Sequence, residues 1–276
     1  MPLDALHHVR KMRGGAQAHL LQCSDGNAYV VKFQNNPQHR RILVNELIAA
    51  AILKHLQIAA PETALIQTDE GFLARNPEVR LELGSQKIAP KPGWHFGSRY
   101  PGHPERTATY DYLPDSLLQQ VANPRDFLGV LVFDKWTANT DGRQAIFFRA
   151  KLKDWLGETA GQRAGFVALM IDHGFTFNGP HWDFPESSIY GLYPRRSVYA
   201  NVTSAESFEP WLQRVKHFPE KVLDDAWKSI PPEWIDGDES HLERMLETLM
   251  RRRARIQHLI EDACFSSGRP FPNWQA

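Results

Sequence analysis

The sequence predicts an α+β protein of two lobes, a small β-rich N-terminal lobe followed by a mainly helical C-terminal one. Three observations predict it. Short apolar runs separated by turn clusters fill the first third, helical spacing dominates from residue 116 onward, and residues 76–115 between them are rich in Pro and Gly. The chain has 276 residues, enough for one large domain or two small ones, and its 42% hydrophobic content separates it from disordered chains. The expected boundary assigns residues 1–105 to the first lobe and 106–276 to the second.

The elements follow in order. Residues 16–22 (AQAHLLQ) and 28–33 (AYVVKF) flank Ser24-Asp25-Gly26-Asn27, a hairpin signal. Residues 40–56 carry Ile42, Leu43, Leu47, Ile48, Ala51, Ile52 and Leu56 at helical spacing, with Pro61 beyond the end. ETALIQ and GFLARN, on either side of Thr68-Asp69-Glu70-Gly71, read as short strands. The Pro/Gly-rich residues 76–115 read as the connector between lobes. Residues 124–138 form an apolar helix opened by Pro124. AIFFR and GFVALMI read as strands separated by a polar excursion at 151–165. Residues 178–210 are aromatic, Pro-rich and irregular. Residues 239–262 read as one long amphipathic helix with Leu242, Met245, Leu246, Leu249, Ile256, Leu259 and Ile260 on one side.

Composition narrows the function. Lys+Arg and Asp+Glu are both 32, so the formal net charge is +0, which argues against a general nucleic-acid binder. The Arg251-Arg252-Arg253 and Arg255 run is interleaved with Glu243, Glu247, Glu261 and Asp262 and reads as a solvated face. No apolar run of about 18 residues exists, which excludes a membrane-spanning helix. The start, MPLDALHHVRKMRGG, has no apolar signal core. Cys23 and Cys264 make neither a zinc set nor a disulfide framework, and the expectation is a reduced, cytoplasmic protein. The 12 histidines show no metal-ligand spacing.

Four groups of residues can carry chemistry. Gly14 and Gly15 precede the first expected strand, where the absence of Cβ atoms lets backbone N–H groups approach phosphate oxygens. Taken alone, the pair reads first as a strand-initiating turn. Lys32 ends the apolar run Tyr29-Val30-Val31-Lys32-Phe33, and Glu46 on the next helix is its natural partner, because a buried ammonium needs a counter-charge. The alternative is a wet edge-strand lysine. The loop Phe133 to Gln144 (FDKWTANTDGRQ) lies between a buried helix and a strand. There Asp141 is placed to accept a hydroxyl proton and Gln144 to offer an amide oxygen to a metal, while Asp134 is a candidate to orient the loop. A helix-terminal turn is the alternative. Last, Met170-Ile171-Asp172-His173-Gly174-Phe175 ends an apolar strand in an acid and a glycine. A hairpin would bring Asp172 beside Asp141, and paired carboxylates call for a cation between them.

In these motifs, spread from about residue 13 to 175, the sequence resembles the HipA-like kinases, distant relatives of the phosphatidylinositol 3- and 4-kinase group. The PPEW segment (Pro231 to Trp234) and the arginine-rich helix resemble that family's C-terminal end. The resemblance implies a two-lobed protein-kinase-like fold and ATP- and Mg²⁺-dependent transfer of phosphate to a hydroxyl, Ser or Thr of a protein. It assigns Lys32 to the nucleotide phosphates with Glu46 as its partner, Gly14 and Gly15 to the phosphate cover, Asp141 to the base and Asp172 to the metal. It also raises an antitoxin-type protein partner. One departure is visible. Where the family's loop continues through a histidine to a metal-binding asparagine, this chain reads Gly142-Arg143-Gln144-Ala145-Ile146. Gln144 is then the candidate second metal ligand, and Arg143 a candidate catalytic residue that contacts the transferred phosphate or stabilises Asp141. The departure keeps open a pseudokinase-like module that binds a nucleotide or partner without catalysis. A small-molecule or lipid kinase on the same scaffold is the other alternative. No motif names the phosphate acceptor.

Overall fold

The alternating residues of the N-terminal third close into a barrel. In the computed structural model, which describes residues 2–157, 162–266 and 268–275, β1 (Leu3–Lys11), β2 (His19–Cys23) and β3 (Ala28–Lys32) run antiparallel. Helix α1 (Arg41–Leu56) follows, then β4 (Thr63–Thr68), α2 (Glu70–Arg75), the hairpin of β5 (Leu81–Leu83) and β6 (Gln86–Ile88), and β7 (Gly93–Arg99). β7 lies between β3 and β4, and β4 pairs parallel with β1 to complete a five-stranded closed barrel. Leu21, Cys23, Val31, Phe33 and Ile66 fill its interior, with Phe72, Val79 and Leu81 packed on the same core. Burial of such apolar side chains is the principal force holding the barrel together.

Two expectations need correction here, and one strand was not foreseen. GFLARN is not a strand but α2. The Asp69 carboxylate accepts the Phe72 backbone N–H at 2.5 Å, and this N-cap starts a helix where the local apolar pattern reads as β. Residues 76–115 are not a bare connector. They hold β5, β6, β7 and the short β8 (Thr109–Tyr110), and the prolines punctuate strand ends, with Pro92 before β7 and Pro101 after it. β1 itself gave little sequence signal, because most of its side chains face solvent and its burial is concentrated at Ala5.

The C-terminal part is built on a second sheet and a buried helix. After α3 (Asp115–Leu118), α4 (Asp126–Thr137) is buried along almost its whole length. β9 (Gln144–Lys151), α5 (Lys153–Leu156) and β10 (Ala164–Ile171) follow, and the sheet order is β10-β9-β8. Of the polar excursion expected at 151–165, residues 158–161 lie outside the described residues. The irregular stretch contains 3₁₀ turns at Arg196–Tyr199 and Ala205–Phe208, and Thr176–His181 before them is two short turns joined by a kink at Phe177, Asn178 and Gly179. α6 (Trp211–Lys216), α7 (Glu220–Ser229) and α8 (Pro232–Ile235) lead to the last helices.

The expected closing helix is two helices, α9 (Glu239–Arg252) and α10 (Ile256–Cys264), joined by a 3₁₀ turn at Arg253–Arg255. The arginine run is correspondingly not all a solvated face. Arg252 is buried, and it donates to the carbonyls of Trp136 at 3.0 Å and Lys135 at 3.1 Å and to Glu186 at 2.9 Å. It therefore ties the end of α9 to the end of α4, whose last carbonyls have no partner within their own helix. Both cysteines are free. Among the described residues no helix is long and apolar enough to cross a membrane.

Candidate active site

A strand register assembles the two acids. β9 and β10 pair antiparallel, with Gln144 opposite Ile171 at one end of the ladder. The loop entering β9 carries Asp141, and the turn leaving β10 begins at Asp172. Antiparallel pairing puts the start of one strand beside the end of the next, so both carboxylates reach the same place. The Gln144 side-chain amide joins them: its Nε2 donates to Asp141 Oδ2 at 3.4 Å and to Asp172 Oδ2 at 3.2 Å. The Asp141 loop is braced by its own turn, with Asn139 Oδ1 accepting the Asp141 N–H at 3.2 Å and Asp141 Oδ1 accepting the Gly142 N–H at 2.8 Å.

Lys32 approaches from the barrel. It ends β3, opposite Phe96 of β7, and is only 9% exposed. Its ammonium is paired with Glu46 of α1 and, at 2.8 Å, with Asp172 Oδ1. Burial by itself would lower the lysine pKa, but the attraction of Glu46 and Asp172 outweighs it and raises the pKa above the ordinary value. The Lys32 charge in turn holds the Asp172 carboxyl below its ordinary range, against the effect of burial. Glu46 Oε1 also accepts the His173 backbone N–H at 3.1 Å, so one carboxylate serves the lysine and the turn after Asp172 together.

Arg143 is not where a phosphate-contacting residue would be. It is 1% exposed, and its guanidinium lies against the Asp134 carboxylate at 2.9 and 2.5 Å, the Ile171 carbonyl at 2.7 Å and His173 Nδ1 at 3.1 Å. The reason is alternation. Neighbouring residues entering a strand face opposite ways, and Gln144 takes the cleft side. Asp134, fully buried at the end of α4, also accepts from Asn139 Nδ2 at 2.8 Å. Asp134 thus orients the Asp141 loop, and Arg143 balances its charge while bridging to β10. Burial would lower the Arg143 pKa, but the Asp134 charge outweighs it and raises it, while burial raises the Asp134 carboxyl above its ordinary range against the pull of Arg143. His173 is kept neutral by burial and by Arg143, with Nε2 donating to the Met170 carbonyl at 3.2 Å.

These side chains line one cleft of about 300 Å³ between barrel and second sheet. Gly14, Gly15, Lys32, Glu46, Asp141, Gln144 and Asp172 all border it, and Arg143 does not. Gly14 sits at φ +114°, a conformation that a side chain would strain, in the turn closed by the Met12 N–H to Ala18 carbonyl bond at 2.8 Å. Gln38, in the loop between β3 and α1, reaches over Gly15 and also lines the cleft, and nothing in its local sequence pointed to it. Val30, Phe96, Ile146 and Ile171 give the cleft an apolar wall. A larger groove of about 1170 Å³, bordered by Leu47, Lys54, Asp126 and Trp155, shares part of one wall but holds neither Asp141 nor Asp172.

The donor set fits a hard divalent cation. Two carboxylates and an amide group converge, and all can offer oxygen. Among the described residues no cluster of three His, Cys, Asp or Glu forms a complete metal cage. Such a site matches a cation that completes its coordination with water and nucleotide phosphate.

The model of the HipA-like kinase family matches residues 7–265. The chain belongs to the HipA-like kinase family. This HipA-like kinase has the two-lobed protein-kinase-like fold: a crystal structure of the Golgi casein kinase aligns with a TM-score of 0.51 at 13% identity, covering 96% of this chain and 73% of that one. At that identity the likeness concerns the fold alone. A second structure, of the Golgi casein kinase with Mn/ADP bound, aligns with a TM-score of 0.49 at 13% identity over 97% and 73% of the two chains. No curated protein matches the sequence.

Proposed function

We propose that this HipA-like kinase transfers the terminal phosphoryl group of ATP to the hydroxyl of a Ser or Thr residue of a protein, with Mg²⁺ as the cation. The observation that carries the reading is the convergence of Asp141, Asp172 and Lys32 in one cleft beneath a paired-glycine turn. Membership in a kinase family supports the same chemistry. In this reading residues 1–105 form the nucleotide-covering lobe and residues 106–276 the catalytic one.

Each residue then has a stated task. Asp141 accepts the proton of the attacking hydroxyl. Lys32, held by Glu46, orients the nucleotide phosphates, and Gly14 and Gly15 cover them through backbone N–H groups. Asp172 holds the cation. Gln144 donates to both acids in the free protein, and a half-turn of its amide presents the oxygen as a further ligand. A divalent cation held there would neutralise charge on the transferred phosphoryl group. Arg143 has no contact with substrate and acts through Asp134 on the loop.

Gln144 at the second metal position favours one rival, a pseudokinase-like module that binds nucleotide without transfer. Melting curves with and without ATP and Mg²⁺, followed by mass spectrometry for autophosphorylation and for phosphate on a Ser/Thr protein mixture, separate the two. The kinase reading expects a raised melting temperature and phosphate on Ser or Thr. A shift without transfer leaves the pseudokinase, and no shift removes both. A cytoplasmic location agrees with the two free cysteines. An antitoxin-type partner rests on family membership alone.

A further inference from the structure

Asn45 is fully buried in the middle of α1, between Val44 and Glu46. A primary amide in such a place has to find partners for both ends, because an unpaired polar group in the core is costly. It finds four. Nδ2 points at the carbonyls of Gly174 at 2.7 Å, Thr176 at 3.1 Å and Gly179 at 2.9 Å, and Oδ1 accepts the Trp182 indole N–H at 2.7 Å. Every partner belongs to the segment that follows Asp172.

That segment turns through left-handed residues. Asp172 has φ +59°, and Phe177, Asn178 and Trp182 have φ values of +57°, +60° and +54°. Side-chain-bearing residues avoid this region unless their surroundings impose it. α1 imposes it from one side. Asn45 gathers the carbonyls, Glu46 takes the His173 N–H, and Ile42 lies so close to Gly174 that a Cβ there would stand 2.5 Å from its Cγ2. α1 is itself anchored to the C-terminal lobe. Arg41 grips Asp238 at 2.9 and 2.5 Å and the Pro180 carbonyl at 2.7 Å, and its guanidinium stacks 4.3 Å from the centre of the Trp182 ring.

We propose that Asn45 is a positioning residue for the cation-holding carboxylate. By gathering the carbonyls of residues 174–179, it fixes the left-handed turn that aims one Asp172 oxygen at Lys32 and the other at Gln144. The neighbouring Glu46 sets Lys32, so two adjacent residues of one helix align both halves of the site. The proposal rests on the kinase reading for its catalytic consequence, but cation affinity can be measured without transfer.

The test uses the full chain, Mn²⁺ as the probe and ADP as the nucleotide, with free Mn²⁺ read by electron paramagnetic resonance. Asn45→Asp keeps the size and turns the donor into an acceptor facing three carbonyls. Groups that orient a metal ligand typically carry about 10–100-fold in affinity. The Mn²⁺ dissociation constant in the presence of ADP should rise by about that factor, and kcat with Mg²⁺-ATP should fall while the ATP KM stays within about threefold. A folded Asn45→Asp protein with wild-type Mn²⁺ affinity overturns the proposal. If that variant does not fold, Trp182→Phe decides. It keeps an aromatic ring at the site, leaves Asn45 Oδ1 without its donor and should weaken Mn²⁺ about fivefold in a folded protein of modestly lower melting temperature; unchanged affinity overturns the proposal. Wild-type protein that binds Mn²⁺ with ADP but transfers nothing would remove the kinase reading and leave the positioning role measurable. Wild-type protein that binds no Mn²⁺ would remove both.

Discussion

Gln144 pairs with Ile171 at the open end of the β9–β10 ladder, and its amide nitrogen touches both Asp141 and Asp172. One residue is therefore both the last rung of the hairpin ladder and the contact between the two acids. A slip of one residue in that register would turn Gln144 away from the cleft.

Gln144→Ala removes a candidate cation ligand and the contact between the carboxylates. The Mg²⁺ concentration giving half-maximal activity should rise by about 10-fold, within the range found for groups around metal sites. Superimposable Mg²⁺ titrations of variant and wild type would exclude the ligand role.

Asp141→Asn keeps the shape of the loop and removes the basic oxygen. Phosphoryl transfer should fall by ~10²–10⁴-fold, the usual contribution of a positioned general base. The melting shift produced by ATP and Mg²⁺ should survive, since Lys32, Asp172 and the glycine turn remain. Wild-type turnover by this variant would take Asp141 out of the mechanism.

Lys32→Met removes the charge between two acids while keeping most of the apolar stem. Nucleotide binding should be lost and stability should fall, by about 3–5 kcal/mol if the pair behaves as other broken buried pairs do. In wild type, Asp172 is depressed from 3.8, so its contribution is present above that value and lost as the pH falls below it. Lys32 is raised from 10.5, so its contribution is present below that value and lost above it. In the variant Glu46 faces Asp172 with no cation, and its protonation at low pH relieves the repulsion. Melting temperatures should therefore differ from wild type more at pH 8 than at pH 5.

Arg143→Ala distinguishes a charge-balancing arginine from one that touches substrate. It leaves Asp134 buried and unpaired, and unfolding by urea should show a loss of about 3–5 kcal/mol. Arg143→Lys keeps the charge but cannot reproduce the two-pronged contact, and should recover only part of the loss. Wild-type stability in Arg143→Ala would contradict the buried assignment.

Three buried histidines make the fold acid-sensitive. Burial lowers the pKa of His19 to about 4, that of His95 to about 3, and that of His173 well below 6.5. The unfolded chain takes up protons below 6.5 that the folded chain refuses, so stability falls as the pH drops through that range. Each such histidine contributes a slope of about 1.4 kcal/mol per pH unit. Melting temperatures measured from pH 7.5 to 5 should decline, and His95→Gln should lower the starting value yet flatten the slope. An unchanged slope would show that His95 protonates freely in the folded protein.

Residues whose tasks are local or tied to a run of neighbours were legible in the sequence. Lys32 stood out as a charge ending an apolar run, Glu46 by its place on the next helix, and Asp172 as an acid closing an apolar strand. Asn45 carried a comparable signal, an amide within the apolar face of α1, but its partners lie more than a hundred residues away. GFLARN misled because a single capping contact at Asp69 outweighed a weak strand pattern. The strand β1 was hidden by its solvent-facing side chains, and barrel closure is a long-range pairing that no local window contains.

Local pattern alone marked strands β2, β3, β9 and β10, helices α1 and α4, and the acids, amides and glycines available for chemistry. Each of these follows from periodicity and residue type, which act over a few neighbours. Only the tertiary structure decided which of two adjacent polar residues, Arg143 or Gln144, entered the cleft. Arg143 turned inward because Asp134, nine residues earlier at the end of a buried helix, needed a counter-charge that water could not supply. Register and burial are properties of the packed chain, and they place a side chain that composition can only nominate.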